Sequence, residues 1–319
     1  MKKAFKMLST DGKHQLQGYV WRPDNMKPKA VVQLVHGMVE HIERYDEFAT
    51  RLTMKGYLVI GYDHLGHGNS VISKEEYGYF AKEQGHSLLI QDIRRLYKKV
   101  KKTYPKLPYF LMGHSMGSFL VRRYLTVYGG QELTGTIIMG TGRQRFPVVL
   151  FGVTVAEVLK KWKGDQYRSF WMNQLAFGGY NRKFKNTRGN WLSKDEEKVR
   201  EYCEDERCQF IFTVGAYQDL FQVLCEIERK KNLQRMSKDL PILLVSGEED
   251  PVGDFGKGVR SVYKQYQKLG MKDVELKLYP NDRHEILNEL DRECVYQELY
   301  DWMEKKIENS QFQHTIMIE

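Results

Sequence analysis

Short runs rich in β-branched and aromatic residues recur at Ala30–His36, Tyr57–Tyr62, Tyr109–Met112, Thr136–Met139, Ile242–Val245 and Val274–Tyr279. Runs of this length and composition suit strands buried on both faces of a parallel sheet. Between several of them, Ile42–Met54, His86–Thr103, Ser118–Tyr128, Gly258–Leu269 and Arg292–Ile307 carry apolar residues at three- and four-residue spacing with charge between. That spacing predicts amphipathic helices, and the alternation predicts a wound α/β core with a mostly parallel sheet and helices on both faces. Ahead of it, Phe5–Leu8 and Leu16–Trp21 flank the turn Asp11-Gly12 and predict an antiparallel edge.

The alternation breaks between about Arg143 and Arg235, where helical and irregular patterns appear without a strand rhythm. The expected organisation is therefore a first core part over 1–142, an inserted helical cap over 143–235, a second core part over 236–309 and a tail over 310–319. The cap opens with Phe146–Leu159, apolar except for Thr154 and Glu157. At about 20 residues for a bilayer span this is too short to cross a membrane, but it suits a helix over an apolar pocket. Phe146, Phe151, Phe170, Trp171 and Phe177 are the expected acyl-pocket walls, with plain cap packing as the competing reading. Ser193 followed by Glu196 has capping-box spacing and predicts a helix through Glu201.

Composition narrows the classes. With 319 residues, 41% hydrophobic and 29% charged, the chain is far from disordered, collagen-like or membrane-spanning proteins. Fifty basic against 41 acidic residues leave +9, spread in short runs such as Lys98-Lys99-Val100-Lys101-Lys102 and Lys160-Lys161-Trp162-Lys163. Solvated helix faces account for such runs, so no nucleic-acid partner is expected. Four cysteines in a chain this long do not make a disulfide framework, and the Met-Lys-Lys-Ala-Phe-Lys start reaches Ser9 without a signal-like apolar run. A cytoplasmic setting is the expectation, and the oligomeric state is not legible.

The sharpest chemical signal is Gly113-His114-Ser115-Met116-Gly117, directly after one strand pattern and directly before a helix pattern. A nucleophile elbow needs this context: a sharp strand-to-helix turn lifts the serine above the sheet, and small flanking residues let backbone segments approach. A serine hydroxyl needs a base, and the base needs a carboxylate to orient it. Both follow in the required order, after the strands ending near Val245 and Tyr279, in Gly247-Glu248-Glu249-Asp250-Pro251-Val252 and Pro280-Asn281-Asp282-Arg283-His284-Glu285. Asp250 takes the acid role on its position before Pro251, with Glu248, Glu249 and Asp282 competing, and His284 takes the base role. Oxyanion donors are expected from the backbone N–H of Met116 and, in the loop after Ala30–His36, of Met38.

These stretches, with His36-Gly37-x-x-Glu40-His41 and Arg44-Tyr45, Asp63-His64-x-Gly66-His67-Gly68-x-Ser70, and Gly78-Tyr79-Phe80, resemble the monoacylglycerol lipase and bacterial lysophospholipase-like branch of the α/β-hydrolase superfamily. The resemblance covers nearly the whole chain. It implies the α/β-hydrolase fold with an inserted helical cap, a Ser115, Asp250, His284 triad, oxyanion donors at Met38 and Met116, and hydrolysis of lipid-like esters of monoacylglycerol or lysophospholipid type. It implies no metal and no cofactor, a small lipid-like ester as partner, and transient membrane-surface contact through the cap.

One residue departs from the related pattern, which usually has glycine where this chain has Val39. A β-branched residue tolerates positive φ poorly, so the loop carrying Met38 is expected to be strained or displaced. His64 and His67 have a spacing metals can use but lack a third visible ligand, and His41 and His114 are expected to buttress the site. The rival functions are a short-chain carboxylesterase, an acyltransferase or thioesterase with the same machinery, and a non-catalytic binding module. An aminopeptidase is disfavoured because the chain lacks a His-Gly-Gly-Pro type of oxyanion loop.

Overall fold

A computed structural model describes residues 1–144, 146–177, 179–184 and 189–316, with the side chains of Phe177, Arg182 and residues 311–316 outside the description. Eight strands form one sheet: β1 Lys2–Leu8, β2 Gln15–Trp21, β3 Ala30–Val35, β4 Tyr57–Tyr62, β5 Tyr109–His114, β6 Gly135–Met139, β7 Ile242–Gly247 and β8 Val274–Tyr279. Their spatial order is β1-β2-β4-β3-β5-β6-β7-β8. β1 and β2 pair antiparallel, as do β2 and β4, and every later pairing is parallel. The antiparallel edge and the parallel core match the expectations from the hydrophobic pattern.

The helices are α1 Asp46–Met54, α2 Gly85–Thr103, α3 Met116–Tyr128, α4 Phe146–Lys163, α5 Phe170–Phe177, α6 Glu196–Glu204, α7 Val214–Glu226, α8 Lys230–Leu233, α9 Lys257–Lys268 and α10 Arg292–Ile316. Period-two alternation sends Val31 and Val35 of β3 to one face of the sheet, against Leu89, Ile93, Leu120 and Val262. It sends Val32 and Leu34 to the other, against Phe48, Leu52, Leu299 and Met303. Burying both faces is why β3 to β7 are buried along their whole length and mostly apolar. Between β6 and β7 the described residues form only helices, turns and irregular backbone.

Three element expectations shift. The pattern over Ile42–Met54 resolves into a 3₁₀ turn, Ile42–Tyr45, followed by α1. Ser193 does not cap α6: its Oγ donates to Asn288 O at 2.8 Å and accepts from Asp195 N–H, and Asp195 instead accepts from the N–H groups of Glu197 and Lys198. α10 runs on to Ile316, past the apolar stripe that ends at Ile307 and into the expected tail, and the added stretch contains no glycine or proline to break it. No described helix is long and apolar enough to cross a membrane.

Candidate active site

Chain order and strand order diverge at β3, whose sequence successor β4 lies on one side and β5 on the other. In wound sheets this switch point, at the carboxyl ends of the strands, opens a crevice. The loops after β3, β5, β6, β7 and β8 meet there, and they carry every residue of the expected triad and oxyanion pair.

Ser115 sits between β5 and α3 with φ 54° and ψ −121°, a region that non-glycine residues rarely occupy. Its neighbours explain how the turn closes. A Cβ on Gly113 would lie 2.4 Å from Gly117 O, and one on Gly117 would lie 2.0 Å from Val35 O, so both close approaches exclude any side chain. Ser115 N–H donates to Met139 O at 3.0 Å, pinning the elbow to the end of β6. Met116 opens α3, so its N–H has no intrahelical acceptor.

His284 is buried, and its Nδ1 lies 2.9 Å from Asp250 Oδ1, although the ring N–H is not aligned along that contact. Asp250 is fully buried and holds its place through Val252 N–H on Oδ1 at 2.8 Å and Ser246 Oγ–H on Oδ2 at 3.0 Å. Burial works against its ionisation, but His284 and these donors outweigh it and keep the carboxyl below its ordinary range. His284 Nε2 is buried and meets no partner among the described residues. The ring lies at the elbow, for its Cε1 would be 3.0 Å from a Cβ on Gly140, the residue after the Met139 that binds Ser115.

The competing carboxylates go elsewhere. Glu248 faces Arg260 at 3.7 Å, Glu249 faces Arg283 at 3.8 Å, and Asp282 is pushed up to about 7 by burial, with Glu289 and Asp291 nearby.

The loop after β3 is built around the Met38 amide. Gly37 N–H donates to Glu40 Oε1 at 2.5 Å and Val39 N–H donates to His67 Nε2 at 3.3 Å, while Met38 N–H meets no acceptor among the described residues. Val39 takes φ 57°, so the loop does adopt a left-handed turn on a β-branched residue, and the expected strain is present.

Behind the site lies a buried polar network whose roles the sequence did not reveal. Glu40 accepts from Gly37 N–H, Tyr45 Oη–H and Arg44, and faces His114 Nδ1 at 3.3 Å. Arg44 donates to both oxygens of Glu285, at 2.6 and 2.7 Å. His114 Nε2 lies 3.1 Å from His284 O. Acceptors at both ring nitrogens favour the imidazolium, and although burial opposes it, Glu40 raises His114 above the ordinary histidine value. Glu40 is correspondingly held well below the carboxylate range, its burial outweighed by His114 and Arg44. The network joins the loop after β3 to the loop after β8.

The other histidines pack. His36, His64 and His67 form one buried cluster, with His36 and His64 rings 4.2 Å apart and His64 N–H donating to His36 Nε2. His41 Nε2 lies 2.9 Å from Asp205, and these two with Cys208 bring three potential ligand atoms within 4.8 Å of one another. Asp205, however, already accepts from the Nε and Nη2 of Arg207, so its carboxylate is paired with a cation of the chain's own.

The expected acyl-pocket walls stand differently. Phe146 and Phe151 are exposed, because α4 turns Val149, Gly152 and Ala156 towards α7 and leaves its opposite side to solvent, and Phe170 and Trp171 at the start of α5 are exposed as well. The side chain of Phe177 lies outside the described residues. A residue that the sequence did not single out, Trp191, stacks beside the imidazole instead, with ring centroids 4.9 Å apart.

Fold, elbow and crevice together define an α/β-hydrolase-fold serine ester hydrolase. The chain belongs to the family described as Serine aminopeptidase, S33, whose profile matches residues 26–291. It is 28% identical over 288 residues to a monoacylglycerol lipase of Mycolicibacterium smegmatis, covering 89% of this chain and 91% of that one. It is 27% identical over 307 residues to a monoglyceride lipase of Mus musculus, covering 94% and 90%. A carboxyl esterase of Bacillus coagulans, solved in complex with glycerol, superposes with a TM-score of 0.88 at 28% identity, covering 96% of this chain and 99% of that one. Despite the peptidase in the family's description, these relatives are named for ester hydrolysis, and the chain is a carboxylic ester hydrolase.

Proposed function

We propose that the chain hydrolyses lipid-like esters of the monoacylglycerol or lysophospholipid type through a Ser115, His284, Asp250 triad. The observation that carries this reading is the buried Asp250–His284 contact at 2.9 Å, with His284 Nε2 beside the elbow and without a partner among the described residues. Ser115 Oγ attacks the ester carbonyl as His284 takes its proton, Asp250 orients the imidazole, and the N–H groups of Met38 and Met116 receive the charge on the oxyanion. The alcohol leaves with the proton from His284. Water, activated by the same histidine, then releases the acyl group from Ser115.

The lipid-like substrate is supported by the names of the relatives that align over most of their length and by the exposed apolar side chains of the helical insertion. Residues 143–235 act in this reading as a cap. The exposed residues Val148, Phe151, Val158 and Trp162 of α4, with Phe170, Trp171 and Leu175 of α5, form a surface for transient contact with a lipid aggregate.

The test is turnover of p-nitrophenyl esters from acetate to palmitate, beside 1- and 2-monoacylglycerols, by the native chain and Ser115→Ala. Serine-dependent turnover that peaks on longer acyl chains and on monoacylglycerol supports the reading. A peak at acetate makes this a short-chain carboxylesterase, and acyl transfer to an added alcohol in preference to water makes it an acyltransferase. Absence of serine-dependent turnover on all of them overturns the triad.

A further inference from the structure

A short stretch of the helical insertion runs along the histidine loop as though stitched to it. His284 N–H donates to Trp191 O at 3.3 Å and Glu285 N–H to Leu192 O at 2.7 Å. Arg283 Nη1 donates to Asn190 O at 2.6 Å and to Ser193 O at 3.1 Å. Glu289 closes the far end, accepting from Arg283 N–H at 2.8 Å and Lys194 N–H at 3.0 Å. In this frame the Trp191 indole lies 4.9 Å from the His284 ring, 33° from parallel, and is itself backed by Tyr180 at 5.1 Å.

We infer that Trp191 is a positioning residue for His284, holding the imidazole at the elbow and stabilising with its π face the imidazolium that forms during acyl transfer. The inference rests on the triad reading above and adds a group to it.

The chemistry places the need for such a face at two moments, one in acylation and one in release of the acyl group. As Ser115 Oγ bonds to the carbonyl carbon, the Oγ–H proton moves to His284 Nε2 and the carbonyl π pair moves to the oxygen. As the carbon–alkoxy bond breaks, that proton leaves with the alcohol. The ring carries a positive charge between these two transfers, and again during release of the acyl group, between taking a proton from water and returning it to Ser115 Oγ, and none outside them. An indole within about 6 Å of a cation attracts it through the ring quadrupole, and tryptophan does so best among the aromatic residues. An interaction that exists only while the charge exists raises kcat and leaves ground-state binding alone.

The other charged groups around the ring act in both directions. Asp250 attracts the imidazolium, whereas His114, with its ring 4.6 Å away and its charge favoured by Glu40, repels it. Glu285, the next residue along the chain, is neutralised by Arg44, and the guanidinium of Arg283 sits over the Phe184 ring. Trp191 thus offsets a repulsion that the polar network introduces.

The experiment is steady-state turnover of a soluble p-nitrophenyl ester across pH by the native chain, Trp191→Leu and Trp191→Phe, with thermal melting of each. Trp191→Leu is expected to lower kcat roughly 2- to 30-fold with KM changed less than about twofold, to move the acid limb of kcat/KM to lower pH, and to be partly rescued by Trp191→Phe. If Trp191→Leu melts below the assay temperature, Trp191→Met, which fills the volume without a π face, is read in its place. An unchanged kcat, or an equal loss in the aliphatic and Phe variants with an unmoved acid limb, overturns the inference. Ser115→Ala and His284→Ala run alongside. Native turnover by either sinks the triad itself, whereas two dead controls with an indifferent Trp191→Leu sink only the role of Trp191.

Discussion

Val39 N–H donates to Nε2 of His67 over 3.3 Å, tying the loop that carries Met38, the proposed second oxyanion donor, to the loop after β4. The bond fixes Val39 at φ 57°, a conformation in which its branched Cβ crowds the backbone. A left-handed L-residue costs about 1–2 kcal/mol, and glycine relieves that while adding about 0.5–1 kcal/mol of chain entropy in the unfolded state. Val39→Gly should therefore stabilise the fold by up to about 1 kcal/mol in a denaturant titration and raise turnover with the order of ester preference unchanged. Lower turnover would mean that the valine side chain, which packs against the core, holds the donor in place.

Asp250 touches His284 and is otherwise satisfied by Val252 N–H and Ser246 Oγ–H. Asp250→Asn keeps the shape and most of the donors but presents an amide to the imidazole, favouring the wrong tautomer. By analogy with other serine hydrolases kcat should fall about 10⁴-fold with the melting temperature nearly unchanged. A loss below tenfold would assign the orienting role to another carboxylate.

Glu40 serves four partners, from the loop after β3, the end of β5 and the 3₁₀ turn before α1. Glu40→Gln turns an amide N–H₂ towards at least one of them and strips Arg44 of half its charge partners. Breaking a buried ion network of this kind costs roughly 3–5 kcal/mol. Because Gly37 N–H is one of the four, kcat/KM should fall at least tenfold even at temperatures where the variant is folded. Stability loss without loss of kcat/KM would show the network to be scaffolding alone.

The wound core and the elbow were legible because each rests on local, periodic signals. Continuous apolar runs buried on both faces gave β3 to β7, and Gly113 and Gly117 flank Ser115 because backbone comes within 2.4 and 2.0 Å of where their side chains would be. Trp191 was not legible: it lies 93 positions before His284, and the hydrogen bonds that bring it there run between main-chain atoms that any sequence possesses. The apolar residues of α4 misled for the opposite reason. Their pattern is real, but Gly152 rather than the aromatic side chains meets α7, since a Cβ there would lie 2.9 Å from the Phe221 ring. Hydrophobicity alone does not say which of two apolar sides a helix buries. Ser193 likewise matched a capping box, and Asp195, two residues on, made the cap.

The buried histidines fix the direction of acid sensitivity. Burial pushes His64 down to about 3 and His67 to about 4, and holds His36 well below its ordinary value. Between about pH 4 and 6.5 the unfolded chain binds protons that the native state refuses, so stability rises with pH across that window and is lost as pH falls through it. Each such histidine contributes about 1.4 kcal/mol per pH unit. Asp63 and Asp282, both pushed up to about 7 by burial, contribute with the opposite sign across this whole window and are common to native chain and variant. Neither ring nitrogen of His64 has a partner among the described residues, so His64→Leu sacrifices no side-chain hydrogen bond. It should flatten the pH dependence of the unfolding free energy between pH 4 and 6.5 by about one proton, and an unchanged slope would mean that His64 takes up its proton in the folded state.

The exposed apolar residues of α4 and α5 call for a test that separates surface contact from chemistry. Trp162 is 82% exposed and Leu175 64%, and neither belongs to the triad, the oxyanion loop or the expected acyl walls. Seating two such side chains in a lipid interface is worth about 1.5–3 kcal/mol each if fully buried, and Lys161 and Lys163 next to Trp162 add attraction to anionic headgroups. The double variant Trp162→Ser, Leu175→Ser should lose at least about tenfold in turnover of monoacylglycerol presented in anionic vesicles while hydrolysing a soluble short-chain ester at the native rate. Equal losses on both substrates would place these residues in the passage to Ser115 rather than on a docking surface. No loss on either would leave the lipid-like substrate to reach the crevice by diffusion alone, and would make the apolar face of α4 irrelevant to turnover.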